Sequence, residues 1–201
     1  MTTSDSFAAT APQIADFVRE QKLALVVTSD GDETLTTPLP LLGETDESGA
    51  VTSFLGHFAL SNPQVELIRR QPRALVLFQG PHAYIRPGWI SQPGWAPTWN
   101  YVLAQFQVQI SLLPQANDEA IRALVTALEG NAPDNWRVEQ VGKRYQSMLQ
   151  RVIAFRARVL KTRGRFKLGQ DESDKSFTEI LAALGDVPLA GMMRRWGKTA
   201  R

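Results

Sequence analysis

The clearest pattern in the chain runs over residues 151–160. There Ile153, Phe155, Ala157 and Val159 alternate with Val152, Ala154, Arg156 and Arg158. A period of two places the first set on one face of a strand and the second set on the other. Apolar runs over residues 23–28, 35–42 and 50–55 predict three more strands. They are joined by the turn-forming stretches Ser29-Asp30-Gly31-Asp32 and Asp46-Glu47-Ser48-Gly49. Pro38 and Pro40 mark the second of these as an edge or bulged strand. Residues 74–78 are strongly apolar, Gln79-Gly80-Pro81 interrupts them, and residues 82–86 continue the same direction. A long strand is predicted over residues 99–112, which brings the total to six.

Helical spacing shows in Ile14, Phe17 and Val18, with Thr10 as the N-cap. A second amphipathic helix runs to about Arg70. Ser61 or Asn62 caps it, Pro63 lies in its first turn and Pro72 stops it. Asn117–Glu129 is a third, capped by Asn117 or Asp118 and ended by Gly130. Residues 134–149 and 173–184 predict two more, followed by a short helix and a tail over 186–201. Residues 87–98 are rich in proline, glycine and tryptophan. They predict an ordered loop, because Trp89 and Trp95 are costly to leave in water. Helices and strands do not alternate in a βαβ rhythm. The pattern therefore predicts an α+β, mainly antiparallel fold, a β-barrel with peripheral helices. One domain covers 1–201, with the barrel at about 22–170 and a C-terminal helical segment at about 173–196.

A chain of 201 residues buries a core without staples, and the absence of cysteine removes disulfides, thiolate metal sites and cysteine nucleophiles together. It also fits a reducing compartment. No apolar run approaches the roughly 20 residues of a membrane helix. The start, MTTSDSFAAT, has neither a basic nor an apolar signal region, so a cytoplasmic location is expected. Net charge is only +2, but residues 1–60 hold nine acids and two bases, while residues 151–167 hold seven bases and no acid. Arg194, Arg195, Lys198 and Arg201 extend the basic half. Such a half attracts phosphate, nucleotide or nucleic acid, or is simply a solvated strand face.

There is no GxGxxG, Walker A or GxSxG motif. His57 and His82 are the only histidines, and neither has a metal-ligand spacing. Four stretches carry candidate chemistry. At Gly56-His57-Phe58-Ala59-Leu60-Ser61-Asn62, hydroxyl, amide and imidazole groups meet a strand-to-helix junction that fits an anion, or forms an ordinary capped helix. Thr36-Thr37-Pro38-Leu39-Pro40 offers unpaired backbone groups to a flat polar ring, or is a proline-protected edge. The stretches at 79–87 and 97–101 gather aromatic and amide groups suited to a planar ligand, a subunit interface or a core-covering loop. Gly164-Arg165-Phe166-Lys167-Leu168-Gly169-Gln170 supplies a cation after a strand, or is a solvated turn.

Taken in order, these stretches resemble the PaiB family of FMN-binding split-barrel proteins, over about residues 7–184. The resemblance is carried by Thr37-x-Leu39-Pro40-Leu41-Leu42, Gly56-His57-x-Ala59, Asn62-Pro63, Gly80-Pro81-x-Ala83-Tyr84-Ile85-x-Pro87-x-Trp89 and Pro97-Thr98-Trp99-Asn100-Tyr101. It implies a six-stranded split barrel and a homodimer with FMN in a groove between subunits. By the same resemblance the ring rests along Thr36, Thr37 and Leu39. The phosphate lies near His57, Ala59, Ser61 and Asn62, and the partner supplies Thr98, Trp99 and Asn100. A late family segment falls on Lys167 and Gln170. The family is described as negative transcriptional regulators. The chain departs from its pattern at Pro38, Leu60 and Gln105, where the family usually has histidine, arginine and often histidine. Loss of the cation at Leu60 weakens the expected phosphate site by roughly 1.5–3 kcal/mol.

Three functions follow: an FMN-binding regulator, an FMN-dependent oxidoreductase on the same barrel, or a dimer whose flavin site has decayed. For the oxidoreductase only His57 and Tyr101 are available as acid or base. A haem-handling relative is disfavoured by the shortage of histidines. DNA is a partner by charge alone, since no helix-turn-helix pair is visible.

Overall fold

The structure, a computed structural model, describes residues 6–198; Arg201 of the basic tail and the first five residues of the N-terminal stretch lie outside the described residues. Seven strands form one antiparallel sheet: β1 Leu23–Ser29, β2 Thr34–Pro40, β3 Leu42–Thr45, β4 Val51–Ala59, β5 Arg73–Ile85, β6 Thr98–Leu112 and β7 Val152–Lys167. Their order is β2-β1-β5-β6-β7-β4-β3. The two edges, β2 and β3, are separated in sequence by Leu41 alone. The stretch predicted as one strand is therefore two. Its first half pairs with β1 as far as Pro40 opposite Leu23, and its second starts at Leu42 opposite Leu55 on β4. Leu41, 1% exposed, turns inward between them, and its N–H donates to Lys22 O at 2.8 Å. One extended run thus joins both edges, and the sheet curls into a split barrel.

Alternation fills the barrel. Val26, Phe54, Phe78, Val102, Phe106 and Phe155 are fully buried. Phe54 meets Phe106 edge-on at 4.8 Å, a favourable geometry for the ring quadrupoles. Gly56 is required here, because a Cβ would stand 2.5 Å from Leu41 Cδ2 and 2.9 Å from Phe155 Cζ. At one end the barrel is closed by α1, Ala11–Gln21, whose Thr10 and Gln13 form a reciprocal capping box. The segment before α1 runs beside β7, with Phe166 N–H on Phe7 O and Ala9 N–H on Gly164 O. It covers a strand edge that β4 leaves open.

The helix α2, Gln64–Arg70, is short. Its buried Gln64 Nε2 lies 3.0 Å from both Val26 O and Thr28 Oγ1, and 3.2 Å from Leu35 O, which fixes the edge strand β2. Helix α3, Asn117–Glu129, lies over β4 and β7. Asn117 does not cap it. Its amide reaches β7 instead, donating to Leu149 O and Val152 O and accepting from Ala154 N–H. Over 134–149 the structure has a 3₁₀ turn at Val138–Val141 and a helix α4, Arg144–Leu149, in place of one helix. Gly142, at φ 66°, breaks them apart. Helix α5, Asp174–Leu184, has Ser173 as its N-cap. With α6, Pro188–Met192, and a π-helical turn after it, α5 packs Ile180, Leu189 and Met193 onto the barrel.

Candidate functional site

Strand alternation divides two of the sequence blocks expected to meet a ligand. Thr36 is exposed on the outer face of β2, whereas Thr37 turns toward the α2 junction and accepts from Asn62 Nδ2 at 2.9 Å. Leu39 is half-buried against the core. On β6, Trp99 is 53% exposed, whereas Asn100 is 2% exposed and points its amide at Met193 Sδ. Thr98 takes a hydrogen bond from the Lys167 ammonium. Gln170 is spent inside the fold, accepting from Leu168 N–H at 2.8 Å and donating to Phe166 O. The basic segment at 164–170, expected to follow a strand, begins inside one, since β7 runs to Lys167.

The junction is built for hydrogen bonding, and the base beside it is Arg151, whose carbonyl accepts from Leu60 N–H at 2.8 Å. Asn62 Oδ1 accepts from Gln64 N–H at 2.9 Å, which leaves the N-cap position itself to Pro63. Ala59 and Ser61 are exposed, and Leu60 is 45% exposed. His57 Nδ1 is buried without a hydrogen-bond partner among the described residues, and burial pushes the imidazole below its ordinary 6.5. The ring is therefore neutral at pH 7. Because the unfolded ring binds its proton first, this contribution to stability is complete above pH 6.5 and is lost as pH falls through the lower folded value. Thermal midpoints should drop as pH falls below 6.5, and His57→Gln should flatten that drop. An unchanged slope would show that His57 is not the group responsible.

The outer face of the sheet is where the register brings distant residues together. Directly opposed residues on paired strands share a face. One row crosses five strands as Thr36, Val27, Leu75, Gln107 and Lys161; the next crosses as Pro38, Leu25, Leu77, Gln105 and Arg163. Each row passes from the proline-broken edge through aliphatic side chains to an amide and then a cation. It spans about 19 Å at about 4.8 Å per strand. Leu23 and Leu25, 53% and 38% exposed, widen the apolar part. The residues Leu75, Gln105, Gln107, Lys161 and Arg163 line a hollow of about 210 Å³. Nothing in the sequence separated Lys161 and Arg163 from the rest of the basic run; only the pairing does.

Trp99 lies roughly 26 Å along β6 from Gln107, at about 3.3 Å per residue. It forms an exposed aromatic group with Tyr84, opposite it on β5 at 5.8 Å, and with His82 at 6.0 Å. Tyr101 OH accepts from Arg165 Nε at 3.0 Å. Within one chain, Thr36 and Trp99 thus belong to different ends of the outer face.

A family model described as "Putative FMN-binding domain" matches residues 1–161. The chain is 31% identical over 180 residues to Protease synthase and sporulation protein PAI 2 of Bacillus subtilis strain 168, covering 87% of this chain and 84% of that one. Among solved structures, the flavocytochrome Anf3 of Azotobacter vinelandii superposes with a TM-score of 0.62 at 10% identity, over 83% of this chain and 72% of that one. A FAD- and heme-binding protein of Mycobacterium smegmatis gives 0.60 at 13%, over 89% and 80%.

Proposed function

The chain belongs to the FMN-binding PaiB family, and from that membership we propose that it works as a homodimer holding FMN on the outer face of its split barrel. The observation that carries this reading is the double row from Thr36 and Pro38 to Gln107 and Gln105. FMN is a flat tricyclic ring, a polyhydroxyl chain and a phosphate. The row offers it an edge strand with a free hydroxyl, an apolar floor and two amides, in that order. The chemistry that FMN supplies when bound is reversible transfer of electrons; the chain's own residues orient it and keep water from it.

A second copy is the partner in this reading. Leu23, Leu25, Val27, Leu75, Leu77 and Leu103 leave apolar side chains outside the barrel, none of them packed with its core. A two-fold interface covers the same patch on both subunits at once. Because Trp99 and Tyr84 stand far from Thr36 in one chain, they serve the groove of the other subunit. The protein is then a cytoplasmic flavin-dependent regulator. No helix among the described residues is long and apolar enough to cross a membrane. The test is a visible spectrum after incubation with excess FMN and desalting. Flavin absorption at about one per chain is expected; a colourless protein would leave a barrel dimer without its ligand.

A further inference from the structure

The fold sorts the basic run of 151–167 by what each side chain is given to hold. Arg156 pairs with Glu44. Arg158 donates to Gln109 Oε1 at 3.0 Å, and Lys167 donates to Thr98. Arg165 is taken up by Tyr101 and by the Phe7 ring, 4.9 Å below its guanidinium. Arg151 is exposed with no such partner and stands alone before β7, its carbonyl accepting from Leu60 N–H at 2.8 Å. Lys161 and Arg163 are likewise exposed and have no ion pair or side-chain hydrogen bond among the described residues. They are two apart on β7, so they point the same way at a separation of about 7 Å. Gln107 and Gln105 stand directly opposite them.

The strand-to-helix junction shows the reverse. Leu60 stands where the family has arginine, and Asn62 is committed to Thr37 and Gln64. The nearby bases Arg69 and Arg70 pair with Glu66 and Asp30. A phosphate placed there has one base beside it, Arg151, where the outer face of β7 offers a pair.

We propose that Lys161 and Arg163, backed by Gln107 and Gln105, form the seat for the phosphate of the flavin nucleotide in this chain, in place of the junction. This rests on the flavin reading above, and it specifies where the charge is met. Arg163 presents a planar fork to the phosphate oxygens and Lys161 a point charge. The amides turn donors to the remaining oxygens, and the aliphatic rows beside them carry the ring. The seat selects phosphorylated over unphosphorylated flavin.

Flavin fluorescence titrations with FMN and with riboflavin test this on the full chain and on Lys161→Gln/Arg163→Gln. These side chains point outward, so the barrel is left intact. In the wild type, FMN should bind tightly and weaken with salt, while riboflavin should not respond to salt. In the double variant, FMN affinity should fall about a hundredfold, to near the riboflavin level, as expected for two lost charge-assisted contacts. Riboflavin affinity should change less than about threefold, and Ser61→Ala should leave the FMN-to-riboflavin ratio alone. FMN affinity unchanged in the double variant would overturn the seat while leaving flavin binding in place. So would equal losses for both flavins, or an FMN-specific loss in Ser61→Ala. A wild-type chain that binds neither flavin would defeat the flavin reading and the seat together.

Discussion

Leu25→Glu/Leu77→Glu is expected to turn the proposed dimer into a folded monomer that retains no flavin. The two residues are opposed in register on β1 and β5, at the centre of the apolar part of the outer face. Neither packs on the barrel core, whose contacts come from the alternate positions Ala24, Val26, Val76 and Phe78. In a two-fold interface each substitution occurs twice, so four carboxylates enter the same small area. Burying a charge without a partner costs several kcal/mol, and about 1.4 kcal/mol is a factor of ten in association. Dimer affinity should fall by at least about a thousandfold. Circular dichroism should be unchanged, because the inner face is untouched. A variant that keeps the dimer mass would show that the subunits meet elsewhere.

Asn117→Ala is expected to cost about 2–4 kcal/mol of stability, because it leaves up to three backbone groups unpaired at once. Asn117 Nδ2 reaches Leu149 O at 3.2 Å and Val152 O at 2.9 Å, and its Oδ1 takes Ala154 N–H at 2.8 Å. No other single side chain joins α3, the end of α4 and the start of β7 in this way among the described residues. For a chain of this size the loss lowers the thermal midpoint by roughly 5–15 °C. Asn117→Asp should recover little, since it keeps the acceptor for Ala154 but turns a carboxylate toward two carbonyls. A midpoint within about 2 °C of wild type would mean that water replaces the amide at no cost.

These two predictions rest on different kinds of information, and the sequence held only part of each. Local pattern was enough for most of the strands and for two of the caps. Ile153, Phe155 and Ala157 are buried as their alternation implies, and Thr10 and Ser173 cap as hydroxyls before apolar runs do. Local pattern could not say that Asn117 reaches β7 in place of capping, because that partner lies 37 residues away at Ala154. Adjacent letters also misled. Thr98, Trp99 and Asn100 read as one block, yet the pleat sends Trp99 out and Asn100 in. The split at Leu41 was hidden because nothing in Leu35–Leu42 changes composition where the chain passes from one sheet edge to the other. The double row on the outer face was least visible of all. It draws on five strands that span residues 25 to 163, and only the register aligns them. Family motifs pointed to FMN but not to what stands in for the arginine missing at Leu60; the proposed seat at Lys161 and Arg163 rests on register.

The most direct measurement is sedimentation of the FMN-loaded, desalted protein, followed at a flavin absorption band and at a protein band together. One boundary is expected at both wavelengths, at twice the 22.3 kDa chain mass, with about one flavin per chain. Flavin absorbance left at the meniscus, or moving with a species of single-chain mass, would contradict it.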